Sequence, residues 1–234
     1  MLPTIFPLGD SALTINFGSI INNEINNKVH ALFSLLKQEN HLAIKDVIPA
    51  YASLTIVYDV VQIKKLTAGS AYKYMKNMAE NAFDNLSVNH KTTSRVIEIP
   101  VCYDPSFGFD LEEMSIAKNT SYEEIIQLHL SKKYRVYMIG FLPGFPYMGS
   151  VEERIATPRK NIPRTKIPAG SVGIAGEQTG IYSLDSPGGW NIIGRTPINL
   201  FNTALDQPCL LQPGDMVNFI SISLEDFYKI KAQQ

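Results

Sequence analysis

Cysteine, tryptophan and histidine are scarce in this chain. Among 234 residues there are two cysteines, Cys102 and Cys209, and no CxxC pair. Two distant thiols do not make a disulfide scaffold; they fit a reducing compartment, and the expected setting is cytoplasmic. Neither has a histidine or a second cysteine at ligand spacing, so a zinc site is not expected. The four histidines, His30, His41, His90 and His129, are dispersed, and no HExxH occurs. GxSxG is absent, which removes the nucleophile elbow of the α/β-hydrolases. GxxxxGKS/T is absent too, so a nucleotide site made by this chain alone is not supported.

Charge of one sign is also lacking. Twenty-one basic and 22 acidic residues leave a net charge of −1. Nucleic-acid binding needs a concentrated basic excess, and anionic membranes select polybasic segments. No apolar run approaches the ~18–20 residues that span a bilayer. The first residues, MLPTIFPLGD, carry no basic segment or long apolar core of a signal peptide. The reading is therefore no nucleic acid and no membrane.

What the chain does have is an ordinary globular balance, 45% hydrophobic and 18% charged. Its length suits two modest domains. Gly9-Asp10 between two β-prone runs signals a hairpin, with Leu13, Ile15 and Phe17 alternating inward. Ile25, Val29, Leu32, Phe33 and Leu36 form one helical stripe, capped by Asn22 or Asn23. Leu54, Ile56 and Tyr58 mark a strand. A second helix is expected over 67–83, capped by Thr67, with Lys64 and Lys65 as a solvated edge before it. The polar run 84–95 reads as a connection. Residues 1–92 thus form a small α+β domain, one sheet with both helices on one face.

From 93 to 234 the pattern is short strands, turns and two helices, which suggests a barrel or sandwich. RVIEIPV is a strand with Val96 and Ile97 inward. Asp110 with Glu113, and Ser121 with Glu124, have capping-box spacing. The second helix sets Ile125, Leu128 and His129 on one face. YRVYMIGF is a strand, and INLFN and DMVNFISI read as closing strands.

Gly140–Thr196 concentrates the turn residues, in Pro143-Gly144, Gly149-Ser150 and Pro187-Gly188-Gly189. Pro locks φ and Gly permits φ > 0, so this stretch specifies many backbone angles. Pro158-Arg159, Pro163-Arg164 and Pro168-Ala169-Gly170 recur at five-residue intervals, and Arg195 follows. Guanidinium groups on rigid turns suit bidentate recognition of carboxylate or phosphate, although surface arginines are more often solvated. Candidate ligand-binding residues are Arg159, Arg164, Arg195, Gln178, Thr179 and His129. Candidate backbone and turn positions are Gly144, Gly170, Ser171, Gly188, Gly189 and Trp190. His129 is either a core histidine or a polar participant. Gln178 and Thr179 occupy a Gly-bounded turn that is otherwise a plain hairpin. Trp190 is a core anchor or a stacking wall. Asp185 and Glu177 are too separated to make an acid/base pair, and no catalytic residue is assigned.

GFLPGFPYMG, PRKNIPRTKIPAGSVGIAGEQTGIY and SPGGWNIIGRTP, in that order, resemble the KipI / allophanate-hydrolase subunit 1 family, which includes the B component of bacterial 5-oxoprolinase. PLGDSAL, SYEEIIQLH and LQPGDMVNF extend the likeness along the chain. The resemblance implies a cyclophilin-like β-barrel C-terminal domain preceded by a small ferredoxin-like α+β domain. It implies one part of an ATP-using 5-oxoprolinase, inactive alone, that converts 5-oxo-L-proline to L-glutamate. The implied partners are a protein like the C component of 5-oxoprolinase (allophanate hydrolase subunit 2) and a LamB/YcsF-like A component. ATP, with Mg, would be used by the complex, and no metal site is expected here. Two other family roles stay open: inhibition of a sporulation-type histidine kinase, and membership of an allophanate- or urea-processing, biotin-dependent enzyme.

Overall fold

The computed structural model describes residues 3–20, 22–86 and 94–233. They fall into two compact units divided between positions 93 and 94. His90 and most of the polar connection lie outside the described residues.

The first unit is a four-stranded antiparallel sheet backed by helices. Strands β1 (Thr4–Pro7) and β2 (Ala12–Asn16) form the expected hairpin, with Gly9 at φ +66°. Helix α1 (Asn23–Glu39) starts at Asn22, whose side chain accepts from the Glu24 and Ile25 amides. It ends at Asn40 in the left-handed region. Strands β3 (Ile44–Pro49) and β4 (Ser53–Tyr58) follow as a second hairpin, where alternation in the sequence marks only one strand. The order β1-β2-β4-β3 places β4 between β2 and β3, the split arrangement of ferredoxin-like units, with β1 in the outer position. Leu13, Ile15, Leu54, Ile56 and Tyr58 are buried against Val29, Leu32, Leu36 and Met75 of the helices.

The single helix expected over 67–83 is two. Helix α2 (Val60–Leu66) is capped by Asp59, and α3 (Ala71–Asp84) by Ser70. Thr67 is the C-cap of α2 rather than a start, because its backbone is extended and its amide closes back on Ile63. Lys64 and Lys65 therefore belong to the last turn of α2, where cations meet the negative end of the helix dipole.

The second unit is a seven-stranded barrel. Its strands are β5 (Val96–Val101), β6 (Tyr134–Ile139), β7 (Pro146–Gly149), β9 (Ser171–Ala175), β10 (Gln178–Ile181), β12 (Asn191–Arg195) and β13 (Met216–Ser221). A ribbon of β8 (Arg164–Ile167) and β11 (Ser186–Gly188) stands beside it. The sheet order is β12-β9-β10-β7-β6-β13-β5. The two end strands meet at a seam, where Cys102 and Arg195 exchange backbone hydrogen bonds of 2.8 and 2.9 Å. A Cβ at Gly194 would lie 2.8 Å from the Cys102 carbonyl, so glycine is what lets the seam close. Parallel pairing of β5 with β13 is reinforced by a bidentate Arg95–Asp215 bond of 2.9 and 2.6 Å.

Val101, Val136, Met148, Val172, Ile174, Ile181, Ile193 and Val217 fill the interior. Side chains of this size contribute about 1.5–3 kcal/mol each on full burial. Helices α4 (Leu111–Lys118) and α5 (Tyr122–Leu130) lie between β5 and β6 in the chain, and α6 (Leu224–Lys231) follows β13. Ser121 caps α5 as its spacing indicates. Val96 is exposed, because Ile99 and Val101 set the inward parity of β5. INLFN makes only one isolated bridge, Phe201 to Cys209, and is not a strand.

Candidate functional site

The site is built on the Gly140–Phe145 turn. The Leu142 amide donates to the Gly140 carbonyl at 2.8 Å across Phe141, which sits at φ +68°. This is a γ-turn with positive φ, a rare and strained form. A β-turn follows: Phe145 N–H donates to Leu142 at 3.1 Å, and Gly144, at φ +76°, supplies the position that favours glycine. The Ser183 hydroxyl ties the Pro143 carbonyl at 2.6 Å. The double turn holds the Phe141 ring 61% exposed, in edge contact with Phe145 and Tyr182.

Beside that ring is a cavity of about 230 Å³. Tyr147, Tyr182 and Trp190 are its aromatic walls, Pro163 and the Pro187–Gly189 backbone its rim, and Arg159 stands at its edge. Phe145 underlies the group, edge-on to Tyr182 at 5.2 Å and to Trp190 at 5.4 Å. A Cβ at Gly188 would collide with the Tyr182 hydroxyl, so the rim cannot carry a side chain there. Burial pushes the Tyr182 hydroxyl up to about 12, against the smaller opposing effects of the Trp190 amide and Arg159. Burial also raises Tyr147. Both phenols are neutral at physiological pH.

The structure separates the three arginines. Arg159 is exposed, its guanidinium 5.9 Å from the Trp190 ring, and it makes no ion pair among the described residues. Arg164 is committed elsewhere, donating to both oxygens of Asp110 at 2.9 and 2.7 Å. Arg195 is used at the seam: its Nε donates to the Ala169 carbonyl at 2.8 Å and its guanidinium lies over Phe107.

The spacing of Asp110 predicts a helix cap, yet its side chain makes no cap bond. It is 1% exposed and also accepts from Lys160 at 2.8 Å and from the Ile192 amide at 2.7 Å. Burial pushes its pKa up, but Arg164, Lys160 and the Ile192 amide outweigh that and hold it below the usual value. Lys160 in turn donates its amide to Gly189 at 2.8 Å. Asp110 thereby joins the loop that carries Arg159 to the strand that follows Trp190.

His129 and Thr179 are fully buried in the barrel, away from the pocket. The Thr179 hydroxyl donates to the Gly173 carbonyl at 3.1 Å, so it accepts from His129 Nε2 at 2.9 Å. His129 Nδ1 then accepts from the Tyr103 hydroxyl at 2.9 Å. The ring is stacked on Tyr134 and Phe219, and burial lowers its pKa to about 3. Every polar atom of the imidazole is satisfied in its neutral form, which makes His129 a core residue.

Gln178 begins β10, about 13 Å from Tyr182 at the strand rise of roughly 3.3 Å per residue. Gly170, at φ +85°, and buried Ser171 serve the turn into β9 against Thr196. Of the candidates, the pocket unites Arg159, Gly188, Gly189 and Trp190 and leaves out the others. It adds Phe141, Tyr147 and Tyr182, and behind it stand Asp110 and Lys160, none of which sequence reasoning singles out for the site. A signal for two of the aromatics exists: Phe141 and Tyr147 sit inside the same glycine-proline motif as Phe145. Among the described residues no cluster of three His, Cys, Asp or Glu side chains is placed to hold a metal.

The chain belongs to the family described as the carboxyltransferase domain, subdomain C and D, whose model matches residues 3–211 and so takes in the first unit, most of the second and every wall of the pocket. Within that class it is 44% identical over 229 residues to the B component of 5-oxoprolinase from Bacillus subtilis (strain 168), covering 97% of this chain and 95% of that protein. It is 42% identical to a conserved uncharacterized protein of Pyrococcus horikoshii of solved structure, with a TM-score of 0.56 over 96% of this chain and 100% of that one. The urea amidolyase of K. lactis aligns with a TM-score of 0.77 over 99% of this chain but 15% of its own, at 18% identity, a likeness of fold alone.

Proposed function

We propose that this chain is the B component of an ATP-dependent 5-oxoprolinase, which opens 5-oxo-L-proline to L-glutamate together with A and C components. The observation that carries the reading is the end-to-end likeness to a 5-oxoprolinase B component, together with a pocket whose chemistry suits the substrate. That substrate is a small planar ring bearing a carboxylate. Arg159 would take the carboxylate, a charge-assisted contact for which its guanidinium has no competing ion pair among the described residues. Trp190 and Tyr147 would face the ring, and the Tyr182 phenol is a neutral hydrogen-bond donor.

A lactam is a poor electrophile, and phosphorylation of its oxygen by ATP would activate the carbon for attack by water. This chain has neither a phosphate loop nor a metal-holding cluster among its described residues, so ATP, Mg and the acid/base groups are assigned to the companion chains. On this reading the chain is inactive alone. The setting is cytoplasmic; no helix among the described residues is long and apolar enough to cross a membrane.

The test is reconstitution with the purified A and C components. Glutamate formation that depends on 5-oxoproline, ATP and this chain supports the reading. The family description favours a second one, carboxyl transfer in a biotin-dependent enzyme. Carboxyl transfer without glutamate formation would select that reading instead.

A further inference from the structure

A second groove is lined by residues on either side of Asp110 in the chain, between the loop before α4 and the starts of α4 and α5. Its volume is about 410 Å³. Phe109, Leu111, Glu112, Ser115, Ile116 and Tyr122 line it. Three of its apolar side chains are exposed: Ile116 at 76%, Tyr122 at 45% and Phe109 at 42%. Helix α4 buries Leu111 and Met114, so Ile116 projects from its opposite face with no packing role. Concave, contiguous apolar surface of this kind marks interaction sites.

The charge around the groove is acidic in excess. Glu112 lines it and makes no ion pair among the described residues, and Asp104 and Glu123 flank Pro105 and Tyr122. Two cations lie nearby. Arg164 is bound to Asp110 and lies over the Phe109 ring, and Lys118 is tethered by its bond to the Ala156 carbonyl, so it is the one cation beside the groove whose charge no carboxylate among the described residues offsets. Glu112 and Glu123 also suit the first turns of their helices, but that local role does not call for an apolar trough between them.

We infer that this groove docks a segment of a companion polypeptide that presents one large apolar side chain flanked by lysine or arginine. The acidic rim disfavours a nucleic acid, an anionic membrane and a second copy of the same face, since each would bring like charge against it. The inference rests on the multi-chain reading above.

The experiment measures binding of the purified C component by calorimetry, for the natural chain and for Ile116→Glu, Tyr122→Ala and Glu112→Lys. All three positions are exposed or half-exposed, and an unchanged Trp190 emission verifies folding. The expected result is at least ~10-fold weaker binding for Ile116→Glu and for Tyr122→Ala, as for loss of an interface anchor. Glu112→Lys is expected to weaken binding about fivefold, an effect that shrinks in about 0.5 M salt. Unchanged affinity in all three variants, with the natural chain forming a complex, overturns the docking surface and leaves the multi-chain reading standing. Failure of the natural chain to bind the C component at all overturns both.

Discussion

Replacing Asp110 by asparagine is the sharpest test of how the pocket is held. The side chain stays nearly isosteric, but the carboxylate becomes an amide. Four donors now point at it: two from Arg164, one from Lys160 and one from the Ile192 backbone, all between 2.7 and 2.9 Å. An asparagine oxygen can accept from some of them, and its NH2 group faces the remainder donor to donor. Breaking a buried ion pair typically costs about 3–5 kcal/mol. Arg164 and Lys160 keep 30% and 16% of their side-chain exposure, so water recovers part of that loss. We expect about 3 kcal/mol, a fall in melting temperature of roughly 10 °C for a unit of this size. Trp190 is the chain's sole tryptophan and is 4% exposed, so its fluorescence follows the second unit alone. Lys160 keeps its second partner, Glu113 at 2.7 Å, so Arg164 carries most of the cost of the substitution. The folded pKa of Asp110 is depressed below 3.8, so its contribution is present above that value and is lost as the pH falls through the folded one. Natural and variant curves should therefore stay apart down to about pH 4 and draw together only below it. A melting temperature within ~2 °C of the natural chain at neutral pH would refute the reasoning.

Arg159→Ala should lower kcat/KM for 5-oxoproline in the reconstituted complex about 10- to 100-fold, the value of one charged hydrogen bond, with little change in melting temperature; Arg164→Ala should instead lower the melting temperature. If the two variants behave alike, Arg159 is not the anion contact. His129 has a folded pKa of about 3 against 6.5 unfolded, so its contribution is full above pH 6.5 and is lost as the pH falls toward 3. Urea unfolding between pH 6 and 5 should show a slope that His129→Gln lowers by about 1.2 kcal/mol per pH unit, and a slope that the substitution leaves unchanged contradicts the assignment. Phe141→Gly relieves the positive φ, worth about 1 kcal/mol, and should leave the melting temperature unchanged or raised while KM increases. A fall of more than ~5 °C would mean that the ring is a structural clamp.

The parts of the fold legible in the sequence are those encoded locally. Alternation marks the buried faces of β2 and β4, and the spacing of Val29, Leu32 and Leu36 marks α1. The seven-residue α2 escapes because it is too short to show a stripe, and only Ile63 is buried. Val96 misleads because neighbouring apolar residues cannot both face inward, and the partner strand that settles parity lies at the far end of the chain. The site is half legible for the same reason. Turn chemistry points to Arg159 and the Gly188–Trp190 rim, since glycine and proline act on their own backbone. Which arginine stays available depends on a carboxylate 54 residues away from Arg164, and no local pattern contains that. His129 lies on an apolar helix face, but its two partners, Tyr103 and Thr179, come from separate segments.

The pairing of β5 with β13 orders events during synthesis. Strand β5 finds its ladder partner 120 positions later, from Val96 to Met216. Until β13 is made, β5 has only the Cys102–Arg195 seam to hold it, and β6 lacks the strand that will separate it from β5. The first unit needs nothing beyond its own hairpins and helices and can fold as soon as it emerges. The barrel must wait, with two strand edges open, for its last strand to arrive. Any interruption of translation in the final stretch would therefore release a chain whose first unit is finished and whose second unit is adhesive.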